Sequence, residues 1–358
     1  MPNEKPIRLA IAGVGNCASS LIEGLAFYRQ NPDNNQGLLF PSLGGYSARD
    51  IEVVAAFDVS ARKVGKAIKE AIYEAPNNFV RIPGVQVKNE IIIQRGPTLD
   101  GNPKHLAEFV PESEKPAVDV PAALNESHAE ILVNLLPTGS LRATQFYAEA
   151  ALEAGCVFIN CIPTVLAQIP ETAQRFAARG LPILGDDIKS QLGTTILHRT
   201  LLQMLQLRGA KLEKTSQVNI GGNTDFANFV YRAESKLVSK RKSLAQYVDG
   251  TPMHVGHHYD ITKGPLKNAF IEIEASVFGG SPVRISVKLE SDDKPNSAGS
   301  VVDLIRLARA ALDQGAGGVI PEVCAFYFKS PPVSIEEDEA LALIERNWNR
   351  QTEADLQK

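Results

Sequence analysis

The stretch "IRLAIAGVGNCASSLIEGLAFYR" limits the fold of this 358-residue chain more than any other. Residues 7 to 12 are a short apolar run of the kind that makes a buried strand. Gly13 and Gly15 follow at once, with Val14 between them, and Leu21, Ile22, Leu25 and Ala26 then recur at helical spacing. Strand, glycine turn and helix in that order open a dinucleotide-binding unit. The spacing is G-x-G-x-x-A, and Ala18 is accepted in the third position because that site only requires close helix packing. Many strand–turn–helix joints contain two glycines, so the string gains weight only from its context.

Residues 30 to 50 are rich in Asn, Pro, Gly and Ser and read as an inserted surface loop. "IEVVAAFDV" then gives a second apolar strand ending at Asp58. An acid there would accept hydrogen bonds from an adenosine ribose and favour NAD over NADP. It comes later than the usual ~20 residues after the glycines, and the inserted loop accounts for the delay. The same carboxylate could instead cap a helix begun by "SARKVG". Further strand candidates are 90–94, 131–137, 156–163 and 181–187, with helical stretches around 140–154 and 165–179. Apolar strands alternating with helices predict an α/β fold, a doubly wound (Rossmann-type) parallel sheet. Loops after strand ends carry ligands in such sheets, which puts "LPTGS" (with Leu136 and Pro137), "CIPT" and "GDDIKS" on the binding edge.

From about residue 198 the texture changes. A helix at 195–207 leads to "KLEKTSQVNIGGNTDF" and a Lys-rich helix. In "NAFIEIEASVFG" and "PVRISVKLESDD" apolar and polar residues alternate, which predicts antiparallel strands with one wet face. A helix from Ser297 to about Gln314 and another in "SIEEDEALALIERNW" close the chain. His254 and His258 lie four apart, as a helical metal pair would, but Gly256 between them favours a surface loop.

The net charge of -4 argues against a general nucleic-acid binder, whose domain is normally basic. The cysteines (17, 156, 161 and 324) are sparse and form no CxxC pair, so buried free thiols are expected at Cys156 and Cys161. The start carries no basic segment followed by an apolar run, and no apolar run reaches 18 residues. A cytoplasmic chain without a membrane span is the expectation.

Lys236 and Lys240 stand four apart in "ESKLVSK", one turn on a helix face. Spacing alone allows two solvated ammonium groups or a bound anion between them. Asn223, Asp225, Asp187 and Ser190 could each be ordinary turn or cap residues. Taken together, however, "GVGNCASSL", "AAFDV", "QRGPTLDG", "GDDIKSQLGTT", "NIGGNTDF", "SKLVSK", "DDKPNSAG" and "FKSPP" resemble, in order and through nearly the whole chain, the myo-inositol-1-phosphate synthase (inositol-3-phosphate synthase) family, of the shorter prokaryotic type.

The resemblance implies an NAD-dependent isomerisation of glucose 6-phosphate by C5 oxidation, enolisation at C6, aldol closure onto C1 and re-reduction. Two oxyanions and a phosphate then call for several ammonium groups rather than one. Carried over position by position, Lys236, Lys240, Lys267 and Lys329 become the active-site lysines, with Asp187 and Asp293 as their anchors and Asp187 also toward the nicotinamide ribose. Asn223 and Asp225 would hold sugar hydroxyls, and Ser190, Gly193 and Thr194 the phosphate. Gly13, Val14, Gly15, Asn16, Cys17, Ala18, Ser19, Asp58, Leu136 and Pro137 would hold NAD. The resemblance further implies a divalent or monovalent cation in some members, no nucleic-acid or membrane partner, a homotetramer, and a product that feeds inositol lipids or soluble inositol compounds. The expected domains are 1–197 with 296–358 for the dinucleotide, and an inserted α+β catalytic and tetramerisation domain at 198–295. The competing readings are a sugar- or polyol-phosphate dehydrogenase, which needs fewer lysines, a non-catalytic NAD-binding homologue, and a synthase acting on another hexose phosphate.

Overall fold

A computed structural model describes residues 6–102, 107, 109–224, 226–228, 244, 247–248 and 250–349. Strands β1 (Ile7–Ala12), β2 (Ile51–Asp58), β3 (Gln94–Arg95), β4 (Ile131–Asn134), β5 (Val157–Asn160) and β6 (Ile183–Leu184) form one parallel sheet in the order β3-β2-β1-β4-β5-β6. Every residue of β4 and β5 is buried, as expected of a sheet covered on both faces. Successive side chains serve opposite layers. Leu9, Ile11, Ile131, Val133, Val157 and Ile159 enter one core, while Ala10, Ala12, Leu132 and Phe158 enter the other.

The helices α1 (Asn16–Gln30), α2 (Ile68–Ala71), α3 (Val120–Glu126), α4 (Leu141–Ala154), α5 (Pro170–Ala178), α6 (Thr194–Leu207), α7 (Asp293–Asp313), α8 (Pro321–Tyr327) and α9 (Glu337–Trp348) complete the described elements. Helices α1, α7, α8 and α9 pack on one face of the parallel sheet, and α3, α4 and α5 on the other. The C-terminal segment thus returns to the first sheet after a second one has been built.

That second sheet holds β7 (Lys211–Gly221), β8 (Met253–Tyr259), β9 (Lys267–Ser276) and β10 (Pro282–Ser291), in the order β10-β9-β7-β8. Leu202 and Leu205 of α6 cover Val255, Ile271 and Ile273, and Glu272 and Glu274 point to water. The β9–β10 and β7–β9 pairs are antiparallel as their alternation predicts, but β8 runs parallel to β7, so the sheet is mixed.

Three expectations are corrected. "MHVGHHYD" is strand β8, not a loop. Its backbone ladder with β7 outweighs the weak strand preference of Gly256, and Val255 anchors it in the core. Four residues along a strand span about 13 Å, so His254 and His258 do not form the helical pair. Among the described residues no cluster of three or more His, Cys, Asp or Glu could hold a metal ion. The run 90–94 contributes only Gln94 to β3, because Ile91 O and Ile93 O accept from Ile68 N and Gly65 N instead. Helix α7 begins at Asp293, four residues early, because the Asp292 carboxylate caps it by accepting from Lys294 N.

The segment between α1 and β2 is pinned by one buried side chain. Arg306 of α7 donates to Phe40 O at 2.9 Å, Pro41 O at 3.2 Å and Tyr46 O at 3.4 Å, and pairs with buried Asp303. Burial pushes the Asp303 carboxyl up, against the pull of Arg306. Arg306→Met should cost about 3 kcal/mol or more, because it strands a buried carboxylate and three carbonyls. A carboxyl raised on folding stabilises when neutral. That contribution is complete below the unfolded value of about 3.9 and is lost as pH rises through the folded one. Urea titrations should therefore show the Arg306→Met penalty shrinking as pH falls toward the acid range.

Candidate active site

The carboxyl ends of β1, β4, β5 and β6 meet at one edge of the parallel sheet, and strand order reverses between β1 and β4, the usual ligand crevice of such a sheet. Gly13 has φ +89°, and a β-carbon there would stand 2.8 Å from Leu135 O. The loops after β1 and β4 therefore pass too closely for a side chain. Helix α1 starts at Asn16 with no side-chain cap, so the positive end of its dipole faces this turn. Asp58 Oδ2 accepts from Val14 N, and Oδ1 from Val59 N and Ser60 N, each at 2.8 Å. No helix follows Asp58 directly, so its carboxylate braces the glycine turn rather than capping a helix. With about four acceptor sites on a carboxylate, room remains for a ribose hydroxyl.

Lys63 Nζ donates to Val14 O at 2.7 Å and to Asn77 Oδ1 at 2.8 Å, and burial lowers its pKa. Asn16 Oδ1 accepts from Asn78 N. Ala18 and Ser19 are fully buried, and Asn77 Nδ2 and Ile72 O engage the Ser19 hydroxyl. These two support the turn from behind. After β4, Leu136 N donates to Asn134 Oδ1 at 3.2 Å and Pro137 is exposed. Thr138 O accepts from Asn228 Nδ2 at 2.8 Å, which brings the segment after Asn223 over this loop.

The loop after β6 carries the charged groups. Asp186 is fully buried and accepts from Asn160 Nδ2 at 2.7 Å and Leu166 N at 2.9 Å. Burial raises its pKa against these bonds. Asp187 follows at φ +62°, a left-handed conformation that few non-glycine residues adopt. Lys329 Nζ lies 2.9 Å from Asp187 Oδ1 and 2.6 Å from Ile188 O. Cys161 sits beneath them. Burial drives its thiol far up, the charges of Cys17 and Asp187 add to the rise, and Lys329 opposes it. The start of α1 and the Asp187–Lys329 pair therefore share one neighbourhood.

A second lysine–carboxylate pair closes the other wall. Lys267 begins β9, level with Gly221 of β7 and Ser291 of β10. Its Nζ is bound by both Asp293 oxygens, at 2.5 and 2.6 Å. Ser297 Oγ on the same helix donates to Asp293 O and lies 3.2 Å from Ser190 Oγ. Leu192 N donates to Asn296 Oδ1 at 2.9 Å. Helix α6 starts just beyond, with Gly193 as its uncapped N-cap. The Thr194 hydroxyl is buried there with no hydrogen-bond partner among the described residues. An uncapped helix start, two hydroxyls and a buried ammonium make an anion site.

The structure thus gathers Asp187, Ser190, Gly193, Thr194, Lys267, Asp293 and Lys329. Asn223 stands just past the end of β7, its Oδ1 accepting from Phe226 N. Asp225, Lys236 and Lys240 lie outside the described residues. Sequence reasoning passed over Lys63, Asn77, Asn160, Asp186 and Lys189. The signals available were the asparagine ending β5 and the doubled acid of "GDD".

Residues 193–294 match the family model described as myo-inositol-1-phosphate synthase. The chain is 42% identical over 352 residues to the inositol-3-phosphate synthase of Mycolicibacterium smegmatis, covering 95% of this chain and 97% of that one. It is also 42% identical over 354 residues to the inositol-3-phosphate synthase of Corynebacterium glutamicum, again covering 95% and 97%. Among solved structures, that of Ari2 superposes with a TM-score of 0.81 at 35% identity, covering 96% of this chain and 98% of that one. The inositol-3-phosphate synthase of Caenorhabditis elegans superposes with a TM-score of 0.77 over 96% of this chain and 85% of that one. At 17% identity that match speaks for the fold alone.

Inorganic phosphate should bind at the start of α6. In calorimetric titrations Thr194→Val should weaken it roughly tenfold, the worth of one hydrogen bond to a charged group, and Lys267→Met by more. Equal affinity in all three proteins would place the anion elsewhere.

Proposed function

The chain belongs to the myo-inositol-1-phosphate synthase family, and we propose that it isomerises D-glucose 6-phosphate to 1D-myo-inositol 3-phosphate with NAD as a recycled cofactor. The carrying observation is the Asp187–Lys329 pair, set beside the glycine turn on one side and the uncapped start of α6 on the other. That position supports the reading of Lys329 as a proton-handling group working between bound NAD and the substrate phosphate.

The crevice suits NAD on its own geometry. Gly13 leaves room where a β-carbon would block the turn, and the free dipole of α1 suits a pyrophosphate. The backbone from Gly13 to Cys17 would hold that group, Asp58 the adenosine ribose, and Leu136 and Pro137 the wall after β4. NAD held there would supply hydride removal at C5 and hydride return to the same carbon.

The chain's own groups do the rest. Lys329, as the neutral amine, would take the C5 hydroxyl proton as the carbonyl forms, Asp187 would hold the ammonium so made, and the same proton would return to the C5 oxygen on re-reduction. The carbonyl acidifies C6, and transfer of a C6 proton to the substrate's own adjacent phosphate dianion would give an enolate whose charge the neighbouring ammonium offsets. That carbon attacks the C1 aldehyde, and Lys267, held by Asp293, would stabilise and then protonate the C1 oxygen. Ser190, the N–H groups at Gly193 and Thr194, and the Thr194 hydroxyl would fix the phosphate. Lys236 would join Lys329 near C5, Lys240 would join Lys267 near the phosphate, and Asn223 and Asp225 would hold hydroxyls. No net oxidation occurs, so the class is isomerase. The same proposal takes residues 198–295 as the catalytic and tetramerisation domain, 1–197 with 296–358 as the dinucleotide domain, and the cytoplasm as its place.

The test is phosphorus and carbon NMR of the purified protein with glucose 6-phosphate and catalytic NAD+. Inositol phosphate should accumulate without net NADH, whereas net NADH with an open-chain keto sugar would mean a plain dehydrogenase. Lys329→Met should lower kcat roughly a hundredfold to ten-thousandfold, as loss of a general acid–base group does. Asp58→Ala should weaken the preference for NAD over NADP.

A further inference from the structure

Lys189 lies between Asp187 and Ser190 in the loop after β6, but its side chain runs toward α8 and α9. It is 5% exposed. Its Nζ donates to Ala325 O of α8 at 2.8 Å and to Glu337 Oε1 at the start of α9 at 3.1 Å. Its backbone N donates to Tyr327 O at 2.8 Å. The other Glu337 oxygen lies 3.8 Å from Arg199 of α6, whose guanidinium donates to Tyr247 Oη at 3.2 Å. One carboxylate therefore ties the loop carrying Asp187 and Ser190 to the helix whose start forms the anion site.

A buried lysine is an expensive way to hold a loop, since an apolar side chain would pack there without the desolvation cost. We propose that Lys189 is a positioning residue of the reaction proposed above: anchored by Ala325 O and Glu337, it sets Asp187, and through it Lys329, at the working distance from the phosphate site. The inference rests on that reaction for its kinetic effect, not for its geometry. Electrostatics agree. Burial, Arg199 and Lys329 press the Lys189 pKa down, Glu337 holds it up, and the balance lies at about 8. The anchor then weakens as pH rises through that value, and the repulsion it exerts on Lys329 is removed.

The experiment uses the full chain, its NAD supplied, and compares Lys189→Met, Lys189→Arg and Glu337→Gln. In Lys189→Met, kcat should fall roughly tenfold to a hundredfold, the scale of a small misplacement of a catalytic group. KM for glucose 6-phosphate should move much less. Lys189→Arg, which stays protonated, should carry activity to higher pH than the wild type. Competitive acylation of Lys329, read by mass spectrometry, should slow in Lys189→Met, because a neighbouring positive charge is gone. Folded variants with wild-type kcat, pH profile and Lys329 labelling would overturn the proposal, whatever their melting temperatures. Should Lys189→Met not fold, Glu337→Gln decides, since it keeps an oxygen acceptor and removes only charge. Should the wild type make no inositol phosphate, the proposed reaction fails, and Lys329 labelling alone decides for Lys189.

Discussion

The site depends on a short backbone pairing between two segments some 140 residues apart. Asp186 N donates to Ser330 O at 3.2 Å, Ser330 N to Asp186 O at 3.1 Å, and Lys329 N to Asp187 O at 2.7 Å. Main-chain bonds of this kind set the position of Lys329 before its side chain makes any contact. They also explain why the C-terminal helices must return to the first sheet. Helices α7 and α8 bury Val301, Leu304, Ile305 and Val323 against it, and Phe328, just past α8, joins the same core beside the paired segment.

Around that pairing the charges are arranged in depth. Lys329 and Asp187 are nearly buried, with side chains 11% and 3% exposed. At that depth a lone charge would be costly, and each is tolerable because the other is present. The same holds for Lys294 and Asp292 at 2.7 Å, and buried Lys267 leans on the half-buried Asp293 that lies between them in sequence. Asp292 also accepts from Val80 N, and Lys294 donates to Pro265 O. The start of α7 is thereby fastened to the second sheet and to the loop beside α1. Ion pairs in such a place add little net stability but fix geometry, which suits the several developing oxyanions of the proposed reaction.

Much of the parallel sheet was legible in the sequence. Residues 7–12 and 51–58 are strands with the expected ends, because an apolar run between polar turns has few other ways to bury itself. Of the expected strands, 90–94 keeps only Gln94 and 181–187 only Ile183 and Leu184, since their other backbone groups bond to segments that composition does not announce. Strand β8 was hidden by Gly256 and three histidines, because its pairing with β7 is a tertiary fact. For the site, the order of motifs carried the lysines and acids, through resemblance rather than local chemistry. Lys189 was illegible, since a lysine beside a serine reads as solvated until the burial of its ammonium is seen.

The loop after β6 divides its side chains between the cleft and the protein behind it. In Asp186–Asp187–Ile188–Lys189–Ser190, Asp187 and Ser190 meet Lys329 and Ser297, while Asp186 and Lys189 fasten the loop to Asn160 and to Glu337. The loop thus holds ionisable groups on both sides. Asp187 itself sits in a left-handed backbone conformation between the anchors at Asp186 and Lys189. The conformational cost of that backbone is met by buried hydrogen bonds outside the cleft. Asp186 and Lys189 thus hold the loop that carries the Asp187–Lys329 pair from outside the cleft.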